Sequence, residues 1–228
     1  MTRSRSVKGS VLALAAAFVM SACGTHPGAA AVVGSERISN DRVDEVASAL
    51  CAAQSGGGQA AAQQDLASRG ARQGALDVLL NSTLSRQYGE SQGVEPDQEQ
   101  VGEALAANAQ NLATLPKAHR EVFRDVLRDY AEGQLMLIEV GRRKLAEEGK
   151  QGADEQQAVG EGTRLRNAWA AKNVDIAVDP RFGEYSKNQL LAKSGSLSVA
   201  QSSRATDGDS PNPSQGWVAS LPASQKCS

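Results

Sequence analysis

Residues 29–46 read AAAVVGSERISNDRVDEV, and the way this stretch changes period decides the fold. Ala31 to Ile38 has the composition of a short strand with a turn. Ser39 or Asn40 then offers an N-cap, and Asp41 stands in the first turn, where the helix dipole favours a negative charge. Val43, Val46, Ala47 and Leu50 follow at helical spacing, which predicts a helix from about 41 to 54. Gly56 to Gly58 breaks it. A strand that opens a helical chain needs a partner, because an isolated two-stranded ribbon is marginal unless it packs on helices. The partner is at the far end. Val174, Ile176 and Val178 alternate with Asp175 and Ala177, and the run stops at Asp179-Pro180. The simplest closure pairs Ala31 to Arg37 with Val174 to Val178.

Everything between these strands has helical period. One helix spans about 63–88 on a stripe of Leu76, Leu79, Leu80, Leu84 and Tyr88, ended by Gly89 and Gly93. Pro96 suits the first position of the next helix, with Asp97 and Glu99 in its first turn. Val101, Leu105, Ala109 and Leu112 give that helix one stripe, and Pro116 closes it. The longest helix covers about 118–148, burying Phe123, Val126, Leu127, Tyr130, Leu137 and Ile138. Gly133 and Gly141 lie inside it, each costing ~1 kcal/mol against Ala. They permit either a close helix crossing or a bend. After a break at 149–152, a helix over about 154–172 turns Val159, Leu165 and Trp169 inward. The expected fold is mainly α: about five helices, with a small two-stranded sheet pairing the two ends of a domain over 31–185. From 186 to 228 the chain is Ser-rich and without apolar periodicity, and is expected to be mostly disordered apart from a local contact by Trp217 or Cys227.

Upstream of the domain, residues 1–22 carry Arg3, Arg5 and Lys8, no acidic residue, and an apolar run from Val11 to Met20. That run is too short to span a bilayer core of ~30 Å and reads as a secretory signal. Met20-Ser21-Ala22-Cys23-Gly24 resembles the bacterial lipobox. The resemblance implies acylation of the Cys23 thiol and cleavage before it, with Met20 standing where Leu is usual. The alternative is an ordinary signal peptide cut after Ala22, leaving Cys23 a thiol. In the lipobox reading, residues 23–30 are a spacer and the protein sits lipid-anchored on the outer face of the cell membrane. Two or three acyl chains, palmitate among them, hold it durably.

The whole chain has 24 Lys+Arg and 26 Asp+Glu. Loss of the three signal-peptide cations leaves 21 against 26, a formal net of −5. No run of basic residues exists to hold phosphates, which argues against nucleic acid as a partner. Beyond Cys23 the cysteines are Cys51 and Cys227. An oxidising compartment allows a bridge between them, stapling the tail to the domain. The other reading leaves both unpaired, with Cys51 buried as a small hydrophobe. The two histidines, His26 and His119, do not sit among metal-ligand or triad partners, and Gly56 to Gly58 lacks the flanks of a phosphate loop. No cofactor, metal or catalytic residue is expected.

Four segments carry a family resemblance. AAAVVGSERISNDRVDEV resembles the start of SurA-type periplasmic chaperones and their parvulin-linked relatives, with Val33-Gly34 where those have Asn-Gly and Ile38-Ser39 as their Ile-Ser/Thr step. GVEPDQEQVGEAL resembles their next helix entry, and FRDVLRDYAEGQLMLIEV their long helix. NVDIAVDPRFGEY resembles closing segments of actinobacterial lipoproteins of this group. The resemblance implies a non-catalytic, chaperone-like domain that binds unfolded or exported polypeptides. Only 43 residues follow Tyr185, too few for the isomerase domain of about ninety residues that follows in many relatives. A scaffold lipoprotein docking one envelope partner is the alternative function, and residual peptidyl-prolyl isomerase activity a third.

Overall fold

A computed structural model describes residues 27–56, 67–191, 202–210 and 213–227. The signal segment, Cys23 and His26 lie outside these residues, as does the Gly57-Gly58 part of the expected break. The opening stretch forms two strands, β1 (Ala29–Val33) and β2 (Glu36–Ser39), joined at Gly34, whose φ of +60 suits glycine. β3 (Ile176–Val178) pairs antiparallel on the other side of β1, with Ala31 opposite Val178 and Val33 opposite Ile176. The expected end-to-end pairing is therefore present. The sheet has three strands, in order β2-β1-β3, because 29–39 folds back on itself and contributes two. β1 is central and covered, so Ala29, Ala30, Ala31 and Val33 are all buried; small side chains let helices approach it closely.

Helix α1 (Asn40–Gly56) starts where the Ser39 hydroxyl accepts the Arg42 amide at 3.1 Å. α2 (Ser68–Ser91) is the core helix: Leu76, Leu80 and Leu84 are fully buried. It ends in a Schellman-type turn, with Gly93 at φ +65 and the Val94 amide donating to the Gly89 carbonyl at 3.0 Å. The next helix differs from expectation at both ends. Asp97 is its cap rather than a first-turn residue, accepting the Glu99 amide at 2.9 Å, so Pro96 precedes the helix. The single stripe of 101–112 also divides, into α3 (Gln98–Ala107) and α4 (Ala109–Thr114). At the junction the Asn108 side-chain amide donates back to the Ala104 carbonyl at 2.9 Å, and Ala109 is exposed.

The 31-residue α5 (Lys117–Glu147) and α6 (Glu155–Asn173) pack against each other and against α2. At ~1.5 Å per residue α5 is about 46 Å long. Its buried face includes Val126, Met136, Leu137, Ile138 and Leu145, whereas Tyr130 is 48% exposed. Both interior glycines of α5 serve close crossing. A Cβ on Gly133 would lie 2.9 Å from the Ser85 Cβ of α2, and one on Gly141 would collide with the Ala158 carbonyl of α6. The face of α6 turned fully inward is Ala158, Gly162, Arg166 and Ala170. Val159, Leu165 and Trp169, expected there, are half-buried at its flanks. Small residues take the deepest positions because the two helix backbones nearly touch.

After β3 comes a 3-10 turn, Pro180–Phe182, and then a hairpin of β4 (Glu184–Ser186) and β5 (Gln189–Leu191). Lys187 and Asn188, both at positive φ, make its two-residue turn. Of the tail beyond, the described parts hold α7 (Ser203–Asp209), α8 (Gln215–Ala219) and a 3-10 turn, Ala223–Gln225; residues 192–201, 211–212 and 228 lie outside the description. No helix among the described residues is long and apolar enough to cross a membrane.

Candidate functional site

A groove of about 840 Å³ lies at the end of the bundle where α2 begins. One wall is the N-terminal turn of α2 and the Pro180–Phe182 turn. The other wall is the tail. Cys51 on α1 and Cys227 are disulfide-bonded, with Cα atoms 5.1 Å apart across 176 residues of sequence. Beside them Ala67 and Lys226 form an antiparallel backbone bridge, and Arg69 donates to the Gly208 carbonyl at 3.4 Å. These ties bring α7, α8 and the final turn against the start of α2.

Each wall is locally built. Asp179 caps the Pro180–Phe182 turn by accepting the Arg181 amide at 2.9 Å, and pairs with the Arg181 guanidinium at 2.6 Å. The hydrogen bond from the Arg181 side chain holds the Asp179 carboxyl below its ordinary range. The turn drives Phe182 into the core, where Gln73 donates to its carbonyl at 3.1 Å and the Arg72 guanidinium lies 5.1 Å from its ring centre. Arg72 also pairs with Asp44 of α1. In the tail wall, Asp207 of α7 accepts both the Ser214 amide, at 2.9 Å, and the Ser214 hydroxyl, at 2.5 Å. The side-chain bond is the main cause of its lowered pKa. The Trp217 indole lies against Gly208, where a Cβ would collide with the ring.

The described lining contains Arg69, Arg72, Arg181 and Arg204 and no Asp or Glu. The sequence has no basic run, yet folding gathers four arginines spread over 136 positions onto one concave surface. With Trp217 and Leu221 the lining is mixed cationic and apolar. Such a surface offers guanidinium donors beside apolar contact.

A smaller hollow of about 270 Å³ surrounds the disulfide, and His119 lies on it with Asp44 and Lys226. His119 is half-buried there rather than free in solvent at the start of α5. A polar cluster fills the other side of α2. Arg166, 5% exposed, donates to the Ser85 hydroxyl at 3.0 Å and to the Asn167 side chain at 2.8 Å. Burial pulls the Arg166 pKa down and pushes those of Asp77 and Tyr185 up. The cluster is interior and holds α2, α6 and the β4-β5 hairpin together. Among the described residues no group of three or more His, Cys, Asp or Glu is placed to hold a metal.

Of the residues singled out from sequence, Cys51 and Cys227 meet, and Trp217 reaches the groove beside them. Phe182 and the four arginines were not marked in advance. The one signal was an aromatic residue and a cysteine in an otherwise polar tail.

The architecture defines a helical domain whose two ends meet in one small sheet, with an open groove beside the disulfide. Residues 1–145 match the family model of the SurA-like N-terminal domain. That is more than half of the chain, and the protein belongs to the SurA-like N-terminal domain family. No curated protein and no solved structure matches it. The family match ends inside α5, so α6, β3 and the tail wall of the groove lie beyond it.

Proposed function

We propose that this protein is a non-catalytic, chaperone-like lipoprotein that holds unfolded or exported polypeptides outside the cytoplasm. Its membership of the SurA-like N-terminal family over residues 1–145 carries this reading, because that domain is the non-catalytic chaperone part of such proteins. Two observations support the location. Residues 20–24 have the lipobox pattern, and a Cys51–Cys227 disulfide persists in an oxidising compartment. Acylation of Cys23 would attach the protein to the outer face of the cell membrane. Binding would use apolar contacts and hydrogen bonds to extended backbone, with modest sequence preference.

The decisive assay is light scattering from an aggregation-prone client. Suppression at or below a few-fold molar excess is expected; none at that ratio removes the reading, as would crosslinking to one dominant partner instead of many clients. Separately, Cys23→Ser should move the protein from the membrane fraction to the soluble fraction, and retention on the membrane would exclude lipid anchoring at that residue.

A further inference from the structure

We propose that the groove beside the disulfide captures acidic segments of client polypeptides, carboxylates against its arginines and a neighbouring apolar side chain against Trp217 and Leu221. This rests on the polypeptide-binding reading and names the kind of segment bound.

Charge carries the argument first. The chain as a whole has a formal net charge of −2, yet the described lining has four arginines and no acid. Two of these cations are already answered from behind, Arg72 by Asp44 and Arg181 by Asp179. Arg204 is exposed on α7 and makes no ion pair among the described residues. A guanidinium in that setting takes a carboxylate through two parallel hydrogen bonds. An acidic segment is drawn to this surface, which sets where on the protein it binds.

Chemistry separates a polypeptide from other anions. Nucleic acid needs several phosphates neutralised along a stripe, and here Arg72 and Arg181 already pair with Asp44 and Asp179. Trp217 and Leu221 offer apolar contact that a peptide side chain uses and a phosphate backbone does not. Nine of the sixteen described lining residues come from 202–227. The groove is thus assembled by the Cys51–Cys227 bridge, and it should be lost with that bridge.

The test uses the full chain and two fluorescent peptides. Both carry Leu and Phe; one carries Asp and Glu, the other Asn and Gln in their places. Anisotropy should show the acidic peptide binding about tenfold tighter or more, ~1.4 kcal/mol, with the preference shrinking as salt rises. Arg204→Glu, an exposed position, should abolish the preference, and Trp217→Ala should weaken both peptides. Cys227→Ser should weaken both as well, with circular dichroism checking that the helices persist. Equal binding of the two peptides overturns the proposal, as does an Arg204→Glu protein that keeps the preference. Stronger displacement by duplex DNA or by phosphatidylglycerol vesicles than by free acidic peptide also overturns it, assigning the groove to another anion. If a neutral client is protected from aggregation but no acid preference appears, only this proposal falls. If neither peptide binds and no client is protected, the polypeptide-binding reading falls with it.

Discussion

Gly141 and Gly162 show how much one hydrogen atom in place of a methyl can decide. A Cβ at Gly141 would run into the Ala158 carbonyl, and one at Gly162 into the Leu137 carbonyl. Both obstacles are backbone, so neither can swing aside. Ala is worth ~1 kcal/mol over Gly in a helix interior, but overpacking of this kind costs about 1–3 kcal/mol or more. Gly141→Ala and Gly162→Ala should each lower the denaturant midpoint. Gly160→Ala, with nothing within 4 Å, should raise it; a rise in all three would refute the crossing. Charge at single residues is also readable through pH. Asp129 on α5 is half-buried, and burial raises its pKa above 3.8 despite the nearby Arg86. The folded protein then holds this proton more tightly than the unfolded chain. Stability falls as pH rises through the window from 3.8 to the raised folded value, and the penalty is complete above it. Asp129→Asn should therefore stabilise at pH 7, with its Tm advantage shrinking as pH approaches 4; an advantage constant with pH would disprove the cause. Gly141 was visible in the sequence as a costly residue in a helix, but a single glycine does not distinguish crossing from bending. Arg166 was not visible at all, because a charged residue in an amphipathic helix is ordinarily the exposed one.

At the level of elements, local signals were legible where capping is local. Asp154 caps α6 in a reciprocal box, its carboxylate accepting the Gln157 amide at 2.8 Å while the Gln157 side chain accepts the Asp154 amide at 3.0 Å. Asp154→Ala should cost about 1 kcal/mol in a chemical-denaturation series, and an unchanged midpoint would mean that packing on α5 alone sets the start of the helix. The starts of α1 and α6 and the alternation at 174–178 could be read because each depends on neighbours within a few positions. The division between α3 and α4 could not. Asn108 sits where an uninterrupted stripe continues on either side, and what ends the helix is a side chain turning back to the Ala104 carbonyl. β2 is not separable from β1 in the sequence for a related reason: Ala31 to Arg37 reads as one strand, and only the pairing of Val33 with Glu36 and Val32 with Arg37 shows the chain turning back on itself.

On the scale of the molecule, the disulfide closes a loop of 176 residues. Chain-entropy estimates for loops this long are on the order of 5 kcal/mol, with 2–4 kcal/mol the usual measured range. The double variant Cys51→Ser, Cys227→Ser should unfold at a clearly lower denaturant concentration than the native chain. An unchanged midpoint would show that the tail docks without help from the bridge. The groove itself was beyond sequence reading, since the start of α2 and the tail lie more than a hundred positions apart and meet through this link and the contacts beside it. The position of β1 has a last consequence, one of order in time. Among the described residues β1 is the first element made, yet it is the central strand, and its second neighbour follows every helix of the bundle. The helices rest on nearer contacts and can form early. Until residues 176–178 have been synthesised and have crossed to their place, one side of β1 presents unpaired amides and carbonyls. Such an edge invites any passing strand, so the nascent chain is for that interval in need of the service that its finished form is proposed to give.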